Sequence, residues 1–445
     1  FYEQDALTHK RILPSFHLAP RISVYPRVSG WVRTDNASQV TGDEGARYGV
    51  CSSGVPMRSL LLVLPLPLFF AACQTTEEPV DPSDTAGSQG DIPDYSSAVP
   101  DYLSAYAAAR DNTPAGNPNT DAGVHLGRHL FFDKALSRNR TVSCASCHLP
   151  ERSYTDGLPF SEGFEGGLTG RTSMPLVNLR YYGSGRMFWD ERANTLENQV
   201  LMPIQDEVEM GMTLDEVLAR LEEDERYAPM FEAAFGDEEI TVDGVSRALA
   251  QFVRALTSFD SRWDAALAAG EDPLEPFSSF TAAENRGKTI FFGRHEQGIG
   301  PLCSGCHLPP PPPPGVGLGG GPDPGLFFMP GPRVNGLPDD SDFGVGDVSG
   351  QPADRGAFKS PSLRNLTLRG PYMHDGRFQT LAEVVDFYSD EIADVPNLDP
   401  LLRDGPNPRR LNLSAEDRAA LVAFLETLSD PSFGTDPRFH DPFLE

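Results

Sequence analysis

Cys144-Ala145-Ser146-Cys147-His148 and Cys303-Ser304-Gly305-Cys306-His307 are two copies of one pattern, Cys-x-x-Cys-His, and both continue as Leu-Pro. The pattern suits covalent attachment of haem: two thiols add to the vinyl groups of one haem, and the adjacent histidine meets the iron as proximal ligand. A lone copy could be a zinc site or chance. Two copies in matching contexts leave little room for either.

Working outward, the matching context is itself a repeat. Gly127-Arg128-His129-Leu130-Phe131-Phe132 precedes Cys144, and Gly287-Lys288-Thr289-Ile290-Phe291-Phe292 precedes Cys303. The second Phe lies twelve residues before the first motif cysteine in one copy and eleven in the other. Each copy reads as a helix ending shortly before the attachment turn, with a second helix closing the copy. Val245, Leu249, Phe252, Leu256 and Phe259 recur at helical spacing in the first; Leu421, Phe424, Leu425 and Leu428 do so in the second, behind a Ser414–Asp417 capping box. Thr281 and Glu284 cap the helix that opens the second copy. Little sequence alternates with period two. The expected fold is all-α, with two cytochrome-c-like haem domains in tandem over residues 101–270 and 271–435 and a disordered N-terminal extension. Pro309 to Pro314 and the glycines after them read as a variable surface insertion of polyproline character.

The chain has 445 residues, enough for two or three domains, and a formal net charge of −28. Such an acidic surface argues against nucleic acid and anionic membrane as partners; it either steers basic proteins or simply keeps the chain soluble. Of six cysteines, four sit in the motifs, and Cys51 and Cys73 precede the folded region, so no pair remains for a structural disulfide. Met57-Arg58-Ser59, thirteen uncharged residues from Leu60 to Ala72, and then Cys73 make a secretory signal over 57–72. Phe70-Ala71-Ala72-Cys73 resembles the lipobox of bacterial lipoproteins, so a periplasmic, lipid-anchored protein is expected, touching membrane only through that anchor; an ordinary signal peptide is the alternative. Residues 1–56, upstream of a complete signal, read as spurious upstream translation. Residues 73–100, rich in Asp, Pro, Ser, Thr and Gly, read as a flexible tether.

From about Gly123 to Phe433 the sequence resembles the bacterial di-haem cytochrome c peroxidases and their relative MauG. The resemblance rests on Leu126 to Asp133, the first motif, Phe188-Trp189-Asp190, Leu196-Glu197, Pro203 to Gly211, Lys359 to Asn365 and Pro371 to Leu381, with Tyr-Met-His-Asp-Gly at 372–376 the most distinctive stretch. It implies a peroxide-reacting haem on Cys144, Cys147 and His148 and an electron-transfer haem on Cys303, Cys306 and His307, with His374 among the cofactor-binding residues. It implies Glu209 as the distal acid–base, Gln199 and Pro203 as other distal-pocket residues, and Trp189 between the haems. Chemistry explains the types. Cleaving HOOH needs a group that takes a proton from one oxygen and returns it to the other, and a carboxylate whose pKa burial has raised suits that task. Without the resemblance, Glu209 would pass for a surface acid beside Glu207, and Trp189 for core.

Two departures from the classical peroxidases matter. Their removable histidine falls at Phe164 here, and no histidine lies between His148 and His295, so the first haem should lack a distal protein ligand. Their methionine at the second haem falls at Tyr388, where MauG also has tyrosine. A phenolate would lower the iron potential relative to methionine, although Leu381, Val384, Val385 and Tyr388 could equally be one apolar core stripe. The resemblance implies that the family's calcium ion would fall at the backbone carbonyls of Arg369 and Pro371 and at Thr172, with threonine in place of the usual asparagine side chain. The expected function is a di-haem peroxidase that reacts with H2O2 using electrons from a small cytochrome c or cupredoxin. The alternatives are MauG-like oxidation of Trp or Tyr on a partner protein, or an electron carrier without catalysis. Carriers fill both axial positions of every haem, and the absent distal ligand argues against that last class.

Overall fold

The computed structural model describes residues 92–293, 303–307, 325–328, 331–339 and 341–444; the signal, Cys73 and the proline run lie outside them. Contacts divide the chain at Asp81, and the described residues belong to the second unit, Pro82–Glu445. Its helices are α1 (Asp101–Arg110), α2 (Asp121–Phe132), α3 (Cys144–Cys147), α4 (Leu196–Gln199), α5 (Met202–Gln205), α6 (Leu214–Glu222) and α7 (Tyr227–Phe235). They continue as α8 (Val242–Ala255), α9 (Arg262–Ala268), α10 (Ala282–Phe291), α11 (Cys303–His307), α12 (Val345–Ser349), α13 (Leu381–Asp386) and α14 (Ala415–Glu426). The strands among the described residues are one two-residue antiparallel pair, β1 (Arg403–Asp404) and β2 (Asn407–Pro408). The fold is mostly helical, as the scarcity of period-two sequence predicts. Among the described residues no helix is long and apolar enough to cross a membrane.

One helix crossing is built twice. Thr120 caps α2 by accepting from Gly123 N, and a Thr281–Glu284 capping box opens α10. Where α2 meets α8, a Cβ on Gly127 would stand 2.0 Å from the Ala248 carbonyl oxygen; where α10 meets α14, one on Gly287 would stand 1.9 Å from that of Ala420. Only glycine lets the backbones approach so closely. Around these crossings sit two cores, one holding Leu126, Leu130, Phe131, Leu249 and Phe252, the other Ile290, Phe291, Leu421, Phe424 and Leu425.

The correspondence runs on through the turns. Asn178 (φ +58°) and Asn365 (φ +59°) share the left-handed region, as do Phe188 (φ +69°) and Met373 (φ +72°). Such angles are uncommon outside glycine. The turn after Phe188 presents Trp189 and closes with a Met187–Ala193 bridge; the turn after Met373 presents His374 and closes with Tyr372–Phe378. Thr195 then caps α4 and Thr380 caps α13. Pro203 follows Trp189 by fourteen residues, and Tyr388 follows His374 by fourteen.

Several boundaries differ from the expectation. α8 ends at Ala255, with Leu256 as its C-cap, so Phe259 leaves the stripe and packs 5.8 Å from the Tyr181 ring. The divide at 270/271 fails because Trp263 of α9 is buried in the second core, against Phe277, Phe327 and Phe424. Asp264 beside it pairs with the buried Arg364 at 2.7 Å. Conversely Phe433 and Phe439 belong to the first core, and Arg128 donates to the Pro437 and His440 carbonyls. Each half thus keeps a segment of the other's chain. The tether also ends before 100: Tyr95 is 4% exposed, its amide donates to Asp121, and its hydroxyl meets His125. An aromatic ring can bury enough area to order a few polar neighbours.

Candidate functional site

α3 is a single turn capped by Ser143 and Ser146, and it carries both thiols of the first motif. Burial pushes Cys144 up to about 12 and Cys147 to about 11, so both are neutral thiols here. His148 Nδ1 lies 2.7 Å from the Tyr154 carbonyl. A carbonyl only accepts, so Nδ1 carries the proton and Nε2 keeps its lone pair; burial lowers the pKa and holds the ring neutral. At the second motif His307 has the Phe327 backbone as its polar neighbour, and burial takes its pKa down to about 4. Tyr154 (φ +59°) and Phe327 (φ +58°) share one backbone conformation.

A cavity of about 670 Å³ opens beside His148, with Trp189, Gln199, Pro203 and Glu209 in its wall. A smaller one of about 70 Å³ adds Cys144 and meets Gln199, Pro203 and Glu209 again. Four residues distant in sequence from the first motif are therefore gathered around its histidine. Burial pushes the Glu209 carboxyl up to about 7; Asp206 adds to the shift and Arg192 opposes it. The acid is poised near neutrality.

Phe164 does not face this cavity, contrary to expectation. Its ring lies where a Cβ on Gly211 would come within 2.6 Å, and its amide donates to the Glu209 carbonyl at 3.1 Å. Phe164 thus supports the turn that carries Glu209.

The second cavity, about 180 Å³, is lined by Cys303, His307, His374 and Tyr388 together with Trp189, Thr172, Arg369 and Pro371. All four residues of the stripe, Leu381, Val384, Val385 and Tyr388, line the cavity; Leu381 and Val385 also belong to the second core, and Tyr388 packs beside Phe387, Ile392 and Leu398. α13 widens into a π-turn over Phe387–Glu391, a feature common at functional sites. The Tyr388 hydroxyl accepts from Asn335 Nδ2 at 3.4 Å, and burial pushes its pKa up to about 12.

Thr172, Ser173, Trp189 and Lys359 belong to the walls of both cavities. Trp189 Nε1 donates to the Thr172 carbonyl at 2.8 Å, and the Lys359 amide donates to the Trp189 carbonyl at 2.8 Å. Sequence reasoning gave no role to Lys359. It is 2% exposed, its ammonium lies 4.0 Å from the Tyr182 ring centre, and burial brings its pKa down to about 7. Arg171 binds Asp190 and Asp342 at 2.6 Å each and so ties the two halves together.

Thr172, Arg369 and Pro371 gather in the wall of the second cavity. The Thr172 hydroxyl is engaged with the Met373 and His374 carbonyls at 3.0 Å.

Comparison with known proteins gives consistent results. The family model described as di-haem cytochrome c peroxidase matches residues 121–272. Methylamine utilization protein MauG of Methylorubrum extorquens is 37% identical over 330 residues, covering 73% of this chain and 83% of the relative. Cytochrome c551 peroxidase of Nitrosomonas europaea is 30% identical over 338 residues, covering 74% and 85%. Among solved structures, a MauG-like protein associated with microbial copper homeostasis is 34% identical, with a TM-score of 0.60 over 80% of this chain and 99% of that one.

Proposed function

The chain belongs to the di-haem cytochrome c peroxidase family, which includes the MauG proteins, and from that we propose a periplasmic di-haem oxidoreductase that reduces H2O2 at the His148 site with electrons relayed through the His307 site. The residues suit covalent haem at both places: paired thiols on one helical turn, and a buried neutral histidine facing a cavity. When bound there, the haems supply iron for peroxide binding and for electron transfer. The chain's own groups do the rest. Glu209 takes a proton from one peroxide oxygen and returns it to the other, so that with two electrons and two further protons two waters leave. Gln199 and Pro203 shape the space around that proton transfer. Trp189, in the wall common to both cavities, is the stepping stone between the two sites, and its N–H is anchored on Thr172.

The observation that carries this reading is the placement of the Glu209 carboxyl in the cavity beside His148, where burial pushes its pKa up to about 7. Glu209→Gln should slow peroxide cleavage by about 10²–10⁴ with little change in either haem spectrum. The unaltered enzyme should speed up with rising pH through about 7 as Glu209 ionises, and the variant should lose that dependence. An unchanged rate would leave Glu209 a bystander.

MauG-like oxidation of tryptophan or tyrosine on a partner protein is the second reading. It is favoured by Tyr388 lining the cavity of His307, where a classical peroxidase has methionine. On either reading the mature chain begins at a lipidated Cys73. Intact mass of the mature protein should show nothing before that residue, and a species carrying residues 1–56 would refute it.

A further inference from the structure

We propose that Asp339, His374 and Asp375 form a binding site for a divalent transition-metal ion, separate from both haem irons. One ligand atom from each lies within 4.8 Å of the other two. His374 is 3% exposed, and its Nε2 is buried with no hydrogen-bond partner. Leaving such an atom unsatisfied costs about 1–3 kcal/mol, so something is expected to meet it. The ring cannot easily turn away, because it stacks on Phe358 at 3.7 Å with planes 10° apart.

The carboxylates are held for the same purpose. Asp339 Oδ1 accepts from Ser341 N, Ser341 Oγ and Asp342 N, which leaves Oδ2 turned toward His374. Asp375 is oriented by Arg377, whose Nε donates to Oδ2 at 2.6 Å. The separation of His374 Nε2 from Asp339 Oδ2 is 3.5 Å. That is long for an N–H···O bond, which prefers 2.7–3.2 Å. It is close to the roughly 3.4 Å between two ligands that share one tetrahedral ion at about 2.1 Å.

One imidazole and two carboxylates suit zinc, manganese or nickel; the nitrogen ligand disfavours calcium and magnesium. Three protein ligands leave at least one position for water. His374 lines the second cavity, and its ring lies edge-on to Trp189 at 6.5 Å. An ion there would put positive charge beside the proposed electron path, and its binding does not depend on the peroxide reading. The competing partner for Nε2 is a haem carboxylate, which would fill the same space in the holoprotein.

The test therefore uses holoprotein with both haems counted, stripped by chelator and titrated with Zn²⁺ and then Mn²⁺ by calorimetry. One equivalent of Zn²⁺ per chain is expected, with affinity at least about tenfold weaker in Asp339→Asn and Asp375→Asn and the haem count unchanged. Zinc-edge X-ray absorption of the unaltered protein should show one imidazole and oxygen ligands, a readout that needs no variant. No zinc uptake, uptake indifferent to both substitutions, or a spectrum without imidazole would overturn the proposal; the first of these would assign Nε2 to the haem carboxylate.

Discussion

The two halves are built alike down to their turns, and they part in the residues that line their cavities. Fourteen residues past Trp189, in the wall of the first cavity, stands Pro203; fourteen past His374, in the wall of the second, stands Tyr388. Proline has no side-chain donor atom and breaks the helix into α4 and α5. Tyrosine sits on a continuous helix that widens just where its hydroxyl enters the cavity. The first half then adds an acid, Glu209, on a turn following Pro203, a stretch in which the second half builds no counterpart in its cavity wall. One scaffold thus supplies two cavities with different walls, one holding an acid and the other a tyrosine. A repeat can diverge in chemistry while its helix crossings stay the same, because crossings depend on Gly127 and Gly287 and the chemistry on a loop.

The comparison breaks most completely if the halves lose their cofactors separately. Replacing Cys144 and Cys147 with Ala should remove one haem and abolish reaction with H2O2. Replacing Cys303 and Cys306 should remove the other, stopping donor-driven turnover while a single reaction with peroxide survives. Pyridine haemochrome should count two haems, then one and one; a count of one in the unaltered chain would end the account.

A smaller effect tests the shared frame. Gly127→Ala and Gly287→Ala each force a methyl into a backbone crossing, and overpacking of that kind costs about 1–3 kcal/mol. Denaturant midpoints should fall by similar amounts in both. A loss in one alone would show that the crossings are not equivalent.

Much of this was legible in the sequence. The motifs, the repeated helices and the Thr281–Glu284 capping box are local signals, and the structure has them where the sequence puts them; at Ser414 it keeps the N-cap bond without the full box. Gln199, Pro203 and Glu209 were found by resemblance, and their convergence on His148 is long-range geometry that no spacing shows. Trp263 and Phe433 each pack in the other half's core, because an apolar residue announces burial but not which core receives it. Phe164 matched a family position, yet Gly211 gave its ring a place to pack outside the cavity. The correspondence of Pro203 with Tyr388 was hidden because the stretches joining motif to turn differ in length between the halves.

The claim at the centre is that the first site is open and the second closed by Tyr388. Electron paramagnetic resonance of the resting ferric enzyme, paired with stopped-flow mixing with H2O2, tests it directly. One high-spin and one low-spin haem are expected, with peroxide reacting at once and without prior reduction, and Tyr388→Met should change the low-spin signal and raise that haem's potential. Two low-spin signals at rest, with no reaction until an electron is supplied, would contradict the account and return Tyr388 to plain packing.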